Sequence, residues 1–186
     1  MGEPAKRRAT YDDLVAVPEG LIAEIIDGEL VTQPRPASPH ARAASRLSND
    51  LGGPFDRGRG GPGGWILLFE PELHFHGDVL VPDLAGWRRE RMPQMPHAAA
   101  FELAPDWVCE VLSPGTAATD RTAKRSIYAR EGVGHLWLID PDTRTLEAYR
   151  REQRQWLLLG TWRDDERVRA EPFEVHELEL GALWET

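Results

Sequence analysis

The chain has 186 residues, 41% of them hydrophobic and 28% charged, an ordinary composition for one domain with a sizeable core. Its net charge of −9, from 22 basic and 31 acidic residues, argues against broad sequence-independent nucleic-acid binding, while leaving room for a local basic groove or an acid-rich site. A single cysteine excludes an intrachain disulfide, and no apolar run approaches the ~18 residues of a membrane span, so a cytoplasmic protein without membrane contact is expected.

Residues 1–9 are polar and read as a flexible N-terminus, without the apolar run of a signal peptide, ahead of one domain over 10–186. Thr10 and Asp13 form a loose capping box that opens a short helix. LIAEIIDGELV (21–31) alternates around Asp27-Gly28 and predicts a hairpin. A helix follows from Ser38 to Leu51, with Ser38 as N-cap, Pro39 at its first position, and Ala41, Ala44, Leu47 and Leu51 at helical spacing. DRGRGGPGG (56–64) is a loop. Two strands, 65–75 and 78–87, meet at Gly77-Asp78, and 88–105 reads as irregular. Strand 107–112 precedes a helix over 116–133 that stops at Gly132. Strands 135–140, 145–151 and 155–162 come next, and the tail, 167–184, alternates like a strand. The order predicts a mixed α/β (α+β) domain with one central sheet flanked by helices.

One strand holds a contradiction. In WVCEVL (107–112), Glu110 stands among core residues, where an ionised carboxylate is costly unless something pairs with it. VPDLAGW (81–87) offers Asp83, and Pro82 beside it cannot donate to a ladder, which frees Asp83 from regular pairing. If the two strands are neighbours, Asp83 and Glu110 converge, and a hard cation such as Mg²⁺ relieves their repulsion. On the following helix, Asp120, Lys124 and Tyr128 share one face. A helix folding back from the strand end presents Lys124 to the carboxylates, as phosphodiester hydrolysis requires: a metal, acids to hold it, and a cation on the developing charge.

The order PD (82–83), EVLSP from Glu110, D-x-x-x-K (120–124), Tyr128, GV (132–133) and HLWLIDP (135–141) resembles the Uma family of restriction-endonuclease-like proteins, in the PD-(D/E)xK nuclease superfamily. EIIDGELV and PASPH (36–40) match its pattern as well, and the resemblance runs from about residue 10 to 184. It implies a restriction-endonuclease-like core, a Mg²⁺ (or Mn²⁺) site, and cleavage of nucleic acid, with DNA the expected substrate. Asp83 and Glu110 become metal ligands, the Val111 carbonyl a third, and Lys124 the catalytic lysine. Glu24 resembles the acid that many such nucleases carry near the N-terminus, and His40 a histidine common at that helix start. The chain departs from the superfamily pattern two residues after Glu110, where Leu112 replaces the usual lysine.

Each residue has a plainer reading. Glu110 could be bridged by a structural cation, Lys124 could pair with Asp120 on the surface, and Glu24 could face solvent. A nuclease fold without turnover, kept as a binding or assembly module, is the alternative function, and Leu112 and the acidic charge favour it. His74 and His76, spaced i, i+2, raise a rival imidazole metal site without an evident third ligand. By analogy with enzymes acting on two strands, a homodimer is expected.

Overall fold

The structure is a computed structural model and describes residues 7–185. Helix α1 (Tyr11–Val15) begins with the expected capping box, Thr10 and Asp13 each satisfying the other's backbone N–H. Residues 1–6 of the polar N-terminus lie outside the described residues, while Ala9 donates to the Gly28 carbonyl. Strands β1 (Leu21–Ile26) and β2 (Glu29–Pro34) form the hairpin, and both turn residues, Asp27 and Gly28, have positive φ, as a two-residue turn of this hand requires.

Helix α2 (Ser38–Leu51) differs at two points from its expected form. Ala37 is the N-cap, with Ser38 already helical, and Ala41 is exposed. Ala43, Ala44, Leu47 and Leu51 make the buried stripe. The apolar runs 65–75 and 78–87 were expected as two strands of one sheet. Each instead breaks in two. Strands β3 (Trp65–Phe69) and β6 (Leu84–Arg88) pair in a six-stranded sheet, whereas β4 (Glu72–Phe75) and β5 (Asp78–Leu80) pair in a five-stranded one with β1 and β2. The cause is local. Glu70 takes a positive φ before Pro71, Pro82 withholds a ladder donor, and the two breaks are joined by the Glu70 N–H donating to the Asp83 carbonyl at 3.0 Å. The chain thus turns a corner between sheets at Glu70 and at Asp83. The segment 88–105 is irregular as expected apart from β7 (Ala100–Phe101), which pairs parallel to β4.

The six-stranded sheet is the mixed, helix-flanked core. Strand β8 (Trp107–Val111) lies antiparallel to β6 and parallel to β9 (His135–Asp140), with a helix crossing between them. That helix, α3, runs over 117–131: one turn Ala117–Thr119, a π-helical turn Asp120–Lys124, then Arg125–Glu131, closed by Gly132 at φ 91°. Strands β10 (Thr145–Glu152) and β11 (Gln155–Arg163) complete the sheet, with β11 at its edge.

Period-2 alternation divides the core. Trp107, Cys109 and Val111 face α2, where Trp137, Phe173 and Leu47 pack. Val108 and Leu112 face the other way, with Ile127 and Tyr128 of α3. The tail is not one strand. It contains the short β12 (Arg167–Val168) and β13 (Leu178–Glu179) and the helical turn α4 (Gly181–Trp184). Its apolar spacing comes from Val168, Phe173, Leu178 and Leu183 plugging the α2 side of the core.

Candidate active site

Glu110 is buried on the α3 side of β8. Its Oε1 lies 2.8 Å from Lys124 Nζ and accepts the Tyr128 hydroxyl at 2.5 Å. Lys124 is only 2% exposed, and its ammonium also meets Glu24 Oε1 at 3.0 Å and Asp120 Oδ1 at 3.5 Å. The surface-pair reading of Lys124 is therefore wrong, and so is the solvent-facing reading of Glu24. Glu24 is buried in β1 and accepts a second bond, 2.8 Å, from the Val81 N–H. It ties the five-stranded sheet to the cluster.

Asp83 sits at the corner just ahead of β6, outside regular pairing. Its Oδ2 accepts the Val111 N–H at 2.7 Å and its Oδ1 lies 3.2 Å from His40 Nε2. Leu112 donates to Ile139 across the sheet, so Val111 turns its own polar groups to the opposite edge, toward Asp83. The N–H and C=O of one strand residue share an edge, which sets the Val111 carbonyl beside the Asp83–His40 pair. Asp83, Glu110, Lys124, Asp120, His40 and Glu70 all line one small cavity of about 40 Å³, room for an ion or a water rather than a whole nucleotide.

The electrostatics are those of an acid surplus around one ammonium. Burial pushes the Glu110 carboxyl well above the ordinary range; Lys124 opposes this, while Asp120, Asp83 and Glu24 add to it. Burial disfavours a charged Lys124, but Glu110 and Glu24 outweigh it and hold the ammonium well above its usual value. Both directions have one origin: a net negative, desolvated cluster keeps its protons. Asp120 is raised by burial, as is Glu70, with the Asp83 charge contributing to both. Burial works against a charged His40, and Asp83 more than restores it.

Among the described residues, no three His, Cys, Asp or Glu side chains form a metal cluster. The cavity offers the carboxylates of Asp83, Glu110, Asp120 and Glu70 beside the Val111 carbonyl edge, with one imidazole, His40, held by Asp83. This oxygen-rich set suits a hard cation such as Mg²⁺, which keeps several waters and takes one or two carboxylates, better than a nitrogen- or sulfur-ligated ion. The acid surplus, relieved by added positive charge, fits the same ion.

The rival histidine site does not form. β4 ends at Phe75, so His76 lies in the turn at φ 44° rather than on the strand. His74 binds Glu72 at 2.7 Å beside the Tyr11 ring, while His76 binds Glu131 of α3 at 2.8 Å. Cys109 is buried among apolar residues, opposite Glu110. Tyr128 and Asp120 were legible as one helical face with Lys124. Glu70 was missed, and its only signal was an acid ending an apolar run just before Pro71.

A mixed sheet flanked by helices, with acids and a lysine gathered at a sheet corner, is the architecture expected of a restriction-endonuclease-like core. A crystal structure described as "a putative nuclease belonging to DUF820" from Anabaena variabilis ATCC 29413 matches it with a TM-score of 0.75 and 26% identity, covering 95% of this chain and 97% of that one. The chain belongs to the Uma2 family, described as "Putative restriction endonuclease", whose family model matches residues 8–182. No curated protein matches the chain. Among the described residues, no helix is long and apolar enough to cross a membrane.

Proposed function

We propose that this protein is a metal-dependent endonuclease hydrolysing phosphodiester bonds of nucleic acid, DNA before RNA, in the cytoplasm. The observation that carries this reading is the burial of Lys124 between Glu110 and Glu24 in a cavity that Asp83 also lines. Asp83, Glu110 and the Val111 carbonyl would hold Mg²⁺ or Mn²⁺. A bound divalent ion supplies a Lewis acid for the phosphate and lowers the pKa of water. Lys124 places a fixed positive charge beside the reacting phosphoryl group, in a site dry enough for it to count. Tyr128 and Glu24 hold Glu110 and Lys124 in place, and His40 orients Asp83.

The Lys124–Glu110 ion pair also favours a second reading, a nuclease fold kept as a binding or assembly module, because such a pair can serve stability alone.

The deciding experiment incubates purified protein with DNA and RNA, single- and double-stranded, under Mg²⁺, Mn²⁺ or EDTA, beside Asp83→Asn, Glu110→Gln and Lys124→Met. Metal-dependent cleavage lost in all three variants is expected. Cleavage that survives Glu110→Gln refutes the assignment. No cleavage of any substrate by a parent that binds no Mn²⁺ overturns the nuclease reading in favour of the second.

A further inference from the structure

The outer strand of the six-stranded sheet is unlike an edge built to remain alone. β11 reads QWLLLGTWR, nine residues, about 30 Å at ~3.4 Å per residue. It pairs with β10 on one side and, among the described residues, has no strand on the other. Native edges are normally guarded by charge, proline or brevity. Between Gln155 and Arg163 this one has no charge and no proline. Leu157 and Leu158 are adjacent and 42% and 50% exposed. The bulge opposite Ala148 and Tyr149 bends the strand without shortening it.

We infer that β11 is the interface with a second copy of this chain, paired antiparallel about a two-fold axis to join two six-stranded sheets into one. Self-complementarity selects this occupant and direction. Antiparallel pairing sets Arg163, the one charged residue of the strand, against the partner's Gln155, so that Asp164, next in the chain, falls opposite Arg154 of the partner's hairpin turn. Parallel pairing would set Arg163 against its own copy. An isologous contact needs a patch that complements itself, and an uncharged leucine centre with opposite charges at its ends does so. The flanking Trp156 and Trp162 are partly buried and anchored on the body of the protein, Trp156 by its indole N–H to the Arg125 carbonyl. The edge is therefore rigid, and ordering it on association costs little. This inference does not depend on the site's chemistry.

The test is sedimentation equilibrium of the full chain at micromolar concentration, beside Leu158→Lys and Leu157→Lys, with Val15→Lys as an exposed control on α1, which packs on the five-stranded sheet. The parent and Val15→Lys are expected to be dimers, and the two leucine variants to dissociate at least tenfold more readily with unchanged circular dichroism. Hydrogen exchange on the parent gives a reading that needs no variant: amides of 155–163 should become more protected as concentration rises. A monomeric parent, a dimer indifferent to both leucine substitutions, or concentration-independent exchange in β11 overturns the inference.

Discussion

Replacing Lys124 by Met removes, among the described residues, the only positive charge in contact with Glu110, Glu24 and Asp120, without leaving a large cavity. Removing one partner of a buried pair costs about 3–5 kcal/mol, because the remaining charge is left in a poorly solvated place. Here three carboxylates lose their cation, which puts the cost at the upper end, less whatever the acids recover by taking up a proton. At ~2–4 °C per kcal/mol for a chain of this size, Tm should fall by roughly 10–20 °C at neutral pH. Glu110→Gln should cost much less, since Lys124 still holds Glu24 at 3.0 Å and Asp120 at 3.5 Å and the surplus of negative charge shrinks. The double variant, without the pair, should recover part of the loss. Thermal and urea denaturation of the four proteins closes a double-mutant cycle. A Lys124→Met protein within 1 kcal/mol of the parent, or a Glu110→Gln protein less stable than Lys124→Met, would show that the cluster is not organised around the ammonium.

Three further outcomes follow from the same contacts. Glu110 and Asp120 have folded pKa values raised above their unfolded ones, so protons stabilise the metal-free fold; that contribution is complete below the ordinary carboxylate range and lost as pH rises through the raised values. Mg²⁺ at ~100 times its Kd should add about 2.7 kcal/mol, with a larger Tm gain at pH 8 than at pH 5, and an equal or reversed gain in differential scanning fluorimetry would count against a metal at these acids. Tyr128→Phe strips a 2.5 Å bond from a buried carboxylate and should cost about 1–3 kcal/mol in urea denaturation; a neutral effect would deny Tyr128 its role in fixing Glu110. Gly132→Ala forces a side chain into the left-handed cap at φ 91° and should cost about 1 kcal/mol, a loss that denaturation midpoints resolve.

Local chemistry made much of this molecule readable in its sequence. The Thr10–Asp13 box, the Asp27-Gly28 turn and the Gly132 stop each depend on a few adjacent residues, and each is present. The convergence of helix 117–131 on β8 was legible too, because Asp120, Lys124 and Tyr128 repeat at one helical face and a strand acid needed a partner. The second sheet was not legible. WILLFEPELHF carries one continuous β signal, and only long-range pairing decides that its halves join different sheets. The hairpin alone left Glu24 facing solvent for the same reason, and only the family resemblance singled it out: its burial depends on where β1 meets Lys124, which no local pattern in the hairpin encodes. The shared face expected of His74 and His76 fails because a period-2 argument holds only while the strand lasts, and the strand stops between them.

Placing the lysine on α3 instead of two residues beyond Glu110 changes when the pocket comes into being. A lysine on the same strand would stand near its carboxylate in any extended fragment, including a half-made chain. Lys124 meets Glu110 only after residues 117–131 have turned back over the sheet and docked through Ile127 and Tyr128. Glu24 joins only when a hairpin about a hundred residues earlier has been brought alongside. A nascent or partly opened chain therefore carries the acids without the cation, and the cluster is assembled last, by completion of the fold.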